Sequence, residues 1–192
     1  EMVRARDPKT AAEIDIHDMR RFKADAGVRA MLREARATGC FYVESPAMRM
    51  LMRKLQVDDY LGLVAASSVI RPGVARSGMM QAYIERHRDP TKRADAHPVL
   101  LHLMPETYGV MVYQEDVIKV AHRFAGLDLG EADVLRRGMS GKFRSREEFD
   151  RARDAFHTNA VAKGHAPDMV REVWRQMESF AGYAFAKGHS AS

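Results

Sequence analysis

Cysteine is nearly missing from this chain: Cys40 is the single one in 192 residues. An intrachain disulfide is therefore excluded, and a reducing compartment such as the cytoplasm is expected. Uninterrupted apolar runs long enough to form a membrane-spanning helix are missing too, so no membrane partner is expected. The opening residues EMVRARDPKT are too charged for a secretory leader. The chain begins at Glu1 and stops at Ser192 inside a patterned segment, so it reads as a fragment cut at both ends. What is present is an ordinary globular balance, 46% hydrophobic and 30% charged, which argues against disorder. The excess of 31 basic over 26 acidic residues gives a net charge of +5, compatible with a nucleic-acid partner without requiring one.

Several chemistries lack their residues. A phosphate loop of the Walker kind needs two glycines five positions apart, then Lys and Ser or Thr. Gly138, Gly141, Lys142 and Phe143 fail both requirements, and Gly182 and Gly188 are followed by His189 where the lysine belongs. Structural zinc needs about four convergent ligands. His97 and His102 are separated by Pro98, His157 and His165 by Gly164, and no cysteine pair accompanies them. Cys40 lies in a hydrophobic run, where a thiol is usually inert. Asp128, Glu131 and Asp133 cluster at a helix start, where acidic residues serve the helix dipole. No catalytic residue and no metal site is expected within the chain.

The periodicity predicts a mainly α, multi-helix domain with at most a small two-stranded β element. Residues 1 to about 24 read as an extended lead-in. Val28, Met31, Leu32 and Ala35 form a short amphipathic helix ending at Gly39. Helices are predicted after Ser45-Pro46, after a cap at Asp58, and around Met79 to Ile84, followed by a charged loop over 85–95. Cys40–Val43 and Gly109–Tyr113 are the strand candidates. Val117 to Phe124 is a helix closed by Gly126. Ser145 and Glu148 have capping-box spacing, and Pro167-Asp168 opens a helix striped by Val170, Val173, Trp174 and Met177. The thirteen methionines sit mostly at helix-core spacings, which suits packing.

The densest chemical signal is Gly130–Lys142, GEADVLRRGMSGK. A helix delivers Arg136 and Arg137 into a loop of Gly138, Ser140, Gly141 and Lys142. Two guanidiniums, a lysine and a glycine-rich backbone suit a polyphosphate. The plainer reading is that both arginines are surface charges complementing the negative end of a helix. Around this segment stand TGCFYVES (38–45), Arg71-Pro72-Gly73 with Ser77-Gly78-Met79, ETYGVMVYQEDV (106–117) and FAGYAFAKGHSAS (180–192). In this order the motifs resemble the fingers region of the bacterial replicative polymerase, the DNA polymerase III alpha subunit. The resemblance covers residues 38–192, and residues 1–37 match it poorly.

The resemblance implies a DNA-directed DNA polymerase, a nucleotidyltransferase, of which this chain alone is inactive. It implies a pocket for the triphosphate of the incoming deoxynucleotide, built first by Arg136 and Arg137, then Lys142, then Arg71, Lys187 and His189. Mg²⁺ is implied for the full enzyme, held by palm aspartates outside this chain. Template-primer DNA, deoxynucleoside triphosphate, other replicase subunits and the sliding clamp are the implied partners. Arg49, Arg53, Lys54, Arg144 and Arg146 face either DNA phosphates or solvent. The sequence departs from the family at Gly138 and Ser140 in GMSGKF, where many members carry alanine and then successive lysines. It departs again at Ala186 and Gly188. A non-catalytic helical nucleic-acid-binding module is the alternative, and a scaffold docking an acidic protein is a third.

Overall fold

In a computed structural model of the chain, the residues described are 14, 15, 17–70, 78–142, 145–180 and 186–191. The elements are α1 (Met19–Ala24), α2 (Ala26–Arg33), α3 (Pro46–Leu55), α4 (Tyr60–Val69) and α5 (Met79–Arg88). A 3₁₀ turn (Pro90–Asp95) leads to α6 (Pro98–Leu103), and a second (Pro105–Thr107) precedes α7 (Gln114–Lys119). A single π turn, Val120–Phe124, extends α7; α8 (Leu129–Met139), α9 (Arg146–Ala162), α10 (Pro167–Phe180) and α11 (Lys187–Ala191) follow. No helix among the described residues is long and apolar enough to cross a membrane.

Local chemistry sets the helix starts. Ser45 accepts from the Met48 amide at 3.3 Å, with Pro46 supplying a first position that needs no amide donor. Asp128 and Glu131 close a reciprocal capping box at 2.8 and 3.0 Å. Ser145 accepts from the Glu148 amide at 3.3 Å, at the spacing the sequence predicts. The cap of α4 is Asp59, one residue beyond the expected Asp58; Asp59 accepts from the Gly62 amide at 2.6 Å. Asp58 pairs instead with Arg29 and Arg33, at 3.1 and 3.5 Å, tying α2 to this turn. The helix expected to run to Gly39 stops at Arg33, because Ala35 already takes a left-handed conformation, φ 51°. The charged loop expected over 85–95 is the end of α5 plus a 3₁₀ turn.

Neither strand candidate forms a strand, and none exists among the described residues. Residues 40–43 turn locally: Tyr42 has φ 66°, and the Val43 amide donates to Phe41 O at 2.8 Å. Val110–Tyr113 is apolar because it is buried, not because it pairs. The Val110, Val112 and Tyr113 amides are satisfied without a neighbouring strand, as burial demands. Val110 N donates to Thr107 O at 3.0 Å, and Val112 N and Tyr113 N donate to the Asp116 carboxylate at 2.9 and 2.8 Å. Burial pushes the Asp116 carboxyl upward, against those two bonds and Lys119.

One apolar cluster joins the elements. α3 buries Met48, Leu51, Met52 and Leu55 against α4 and α5, and α10 buries Val170, Val173, Trp174 and Met177 beside α8 and α9. Phe124 of the π turn, wholly buried, stacks on His165 with centroids 4.0 Å apart. Side chains of this size each contribute about 1.5–3 kcal/mol on burial. The buried methionines, Met48, Met52, Met79, Met104, Met111 and Met177, are packing residues as the spacing predicts.

Candidate nucleotide-binding site

Arg136 and Arg137 lie on the last turn of α8, which runs one residue past Gly138 rather than opening into a loop there. Adjacent helical positions diverge by about 100°, yet one carboxylate holds both. Asp133 Oδ1 accepts from Arg136 Nε and Nη2 at 2.9 and 2.7 Å, and Arg137 Nε lies 3.0 Å from Oδ2. The Arg137 Nε is buried and makes no hydrogen bond at that separation, so its link to Asp133 is electrostatic. Asp133 was expected to serve the helix dipole with Asp128 and Glu131. Its spacing from the arginines, three and four residues, puts it on their face instead. The shared carboxylate offsets one of two positive charges and fixes where both guanidiniums start.

The turn after α8 spends its amides internally. Lys142 N donates to Arg137 O at 3.0 Å and Gly141 N to Gly138 O at 2.9 Å, a Schellman closure with Gly141 at φ 71°. The glycine-rich backbone therefore terminates the helix, and the Gly141 and Lys142 amides are already bonded within the turn. Arg137 and Lys142 line one shallow cleft of about 10 Å³ with Gly138, Ser145, Glu148 and Phe149. The cleft is open and cannot enclose a triphosphate.

Arg136 leaves this cleft and reaches α7, donating from Nη1 to Gln114 Oε1 at 3.3 Å. The adjacent Glu115 accepts from the Lys187 backbone amide, 3.1 Å to each carboxylate oxygen. Lys187 Nζ bonds Glu106 at 2.7 and 2.6 Å and lies 5.3 Å from the Tyr113 ring centroid. Helix α11 is seated on α4 by Ser68 Oγ donating to Ser190 Oγ at 2.7 Å and by the Tyr60 hydroxyl on Ala191 O. Thus residues from α8 and α11 are tethered to consecutive residues at the start of α7. His189 is exposed on α11. Arg71 and Arg144 lie outside the described residues.

Beside α7 lies a cavity of about 260 Å³ whose lining includes Asp59, Tyr83, His87, Glu106, Tyr108 and Tyr113. His87 Nε2 donates to Leu55 O at 2.7 Å, so its Nδ1 accepts from the Tyr108 hydroxyl at 3.1 Å. Tyr83 and Tyr108 stack at 5.7 Å, and burial pushes the Tyr83 and Tyr113 phenols well up. Sequence reasoning assigned no separate role to Tyr108, Tyr113, Gln114 or Glu115. Their signal was the density of polar and aromatic groups in ETYGVMVYQEDV. Among the described residues no three histidine, cysteine or carboxylate side chains converge as a metal would require.

A helical domain presenting a paired-arginine helix end beside an acidic-aromatic segment now meets its relatives. Residues 1–164 match the model of the bacterial DNA polymerase III alpha subunit finger domain, and the chain belongs to that family. It is 35% identical to DNA polymerase III subunit alpha of Aquifex aeolicus over 179 residues, 93% of this chain and 15% of that protein. To the same subunit of Pasteurella multocida it is 36% identical over 167 residues, 84% of this chain and 14% of the relative. The Staphylococcus aureus N315 subunit is 35% identical over 168 residues, 88% of this chain and 15% of that protein. The chain therefore spans about one-seventh of the relatives it matches.

Proposed function

We propose that the chain is the part of a cytoplasmic DNA polymerase that grips the triphosphate of the incoming deoxynucleotide next to template-primer DNA. The observation behind this reading is the tethering of α8 and α11 to Gln114 and Glu115, which draws Arg136 and Lys187 toward one helix start. Arg136 and Arg137 supply forked donors suited to phosphate oxygens, already oriented by Asp133. Lys142 adds a point charge at the open cleft. Lys187 is engaged by Glu106, so it meets a triphosphate by exchanging that carboxylate for phosphate; His189 and Arg71 complete the set. Mg²⁺ and the carboxylates that hold it belong to the remainder of the enzyme, as do contacts with other replicase subunits and the sliding clamp. The chain's own contribution is positioning and neutralisation of charge.

The test is steady-state primer extension by the full-length enzyme with varied nucleotide. A charged hydrogen bond contributes about 1.5–3 kcal/mol, so Arg136→Ala or Arg137→Ala should worsen KM, kcat or both by roughly ten- to a hundredfold. Arg171→Ala is the control, because its side chain is 67% exposed and pairs with Asp168 of its own helix. Clamp variants indistinguishable from that control defeat the reading. The isolated chain, assayed alongside, should give no product above a no-protein control.

A further inference from the structure

The cavity of about 260 Å³ beside α7 is walled by three carboxylates, Asp58, Asp59 and Glu106, and by no lysine or arginine among the described residues. Two of the three are engaged from outside it, Asp58 by Arg29 and Arg33, and Glu106 by Lys187. Asp59 accepts from the Gly62 amide at 2.6 Å and, among the described residues, pairs with no cation. Tyr83 supplies a second available group. It is 2% exposed, lines the cavity, and its hydroxyl has no hydrogen-bond partner among the described residues. That oxygen is not among the fully sealed atoms that lack a partner, so it opens onto the space it lines. Burial first, then Tyr108, Asp59 and Glu106, push its phenol upward, so the hydroxyl stays protonated beside these carboxylates. The Tyr83 and Tyr108 rings stack at 5.7 Å with 30° between their planes, and Leu55 and Val57 add apolar surface. Aromatic faces attract cations, and one wall already holds one. Lys187 Nζ is bonded to Glu106 at 2.7 and 2.6 Å and lies 5.3 Å from the Tyr113 ring centroid.

We infer that this cavity binds a small planar organic cation, an amidinium or guanidinium group on a flat apolar body, with Asp59 as counter-ion and the Tyr83 hydroxyl as acceptor. The forked N–H donors of such a group match a carboxylate. Each carboxylate oxygen carries two lone pairs, so the Gly62 bond leaves Asp59 room for them. The flat body suits a cavity walled by stacked phenols, and its volume lies below that of drug-sized pockets, so the ligand is small. A nucleotide phosphate would meet carboxylates here, so this site is distinct from the proposed triphosphate clamp and does not rest on it.

The experiment titrates benzamidinium into the full-length protein by calorimetry, with neither nucleotide nor DNA present, and repeats the titration with benzamide, its neutral isostere. Benzamidinium should bind saturably at one site. Asp59→Asn removes the charge but keeps the helix cap, because asparagine caps as well as aspartate. It should weaken benzamidinium binding by roughly ten- to a hundredfold, the loss of a charged hydrogen bond. Tyr83→Phe keeps the ring and its stacking, and should weaken binding by roughly tenfold. Arg171→Gln is the control and should bind as the unmodified protein does. Absence of saturable benzamidinium binding overturns the inference, as do affinities of D59N and Y83F equal to that of R171Q. Benzamide binding as tightly as benzamidinium overturns it in favour of an apolar cavity with no preference for cations.

Discussion

At position 138 a missing β-carbon decides how the arginine-bearing helix meets α9. A methyl group there would lie 2.2 Å from Phe149 Cδ2 and 2.8 Å from Cε2, so the ring would have to move. Alanine favours a helix over glycine by about 1 kcal/mol, whereas overpacking costs about 1–3 kcal/mol. Gly138→Ala should therefore destabilise the protein by about 1 kcal/mol in denaturant unfolding. In a Phe149→Leu background the same change should become neutral or favourable, a coupling of at least about 0.5 kcal/mol. A stabilising Gly138→Ala with Phe149 intact would show that the ring yields freely. The position of Arg136 and Arg137 was legible as two adjacent cations at a helix end. Their restraint by Asp133 was legible too, as helical spacing, but was masked by reading the acids as a dipole group. The Gly138–Phe149 fit was not legible, because it depends on two helices meeting.

Among the elements, α6 is short and leans on an unusual cap. His97 Nδ1 accepts from the Val99 amide at 3.3 Å, which requires an unprotonated nitrogen. Burial holds His97 below the ordinary histidine value, with a further push from His165, and burial does the same to His157 beside Arg153. The folded state thus binds fewer protons than the unfolded chain between the lowered values and about 6.5. Stability conferred by the neutral rings is present above about pH 6.5 and is lost as the pH falls through and below it. His97→Asn keeps an acceptor at the cap and should flatten this decline; urea unfolding at a series of pH values measures it. An unchanged profile would remove His97 as a cause. Helices with sequence-local caps, such as Ser45-Pro46, Asp128/Glu131 and Ser145, were legible. Residues 109–113 were not, because a short apolar run does not distinguish a strand from a buried connector. The Asp116 carboxylate makes the connector possible.

Across the whole molecule, the proposed site is assembled by ties between segments far apart in sequence: Arg136 to Gln114, Lys187 to Glu106 and Glu115, and Ser190 to Ser68. No local pattern reveals them. The ordered motifs nevertheless carried the family, because a family is marked by their order along the chain. The Gly141 and Lys142 amides close the end of α8, so the proposed site rests on side chains. We propose that these side chains hold a triphosphate. The most direct test is equilibrium binding of a deoxynucleoside triphosphate and of the matching diphosphate to the full-length enzyme on primer-template, before and after R136A/R137A. Loss of charged hydrogen bonds should weaken triphosphate binding by roughly ten- to a hundredfold and narrow its preference over the diphosphate. Equal losses for both ligands, or affinities within about twofold of the R171A control, would contradict a clamp on the triphosphate.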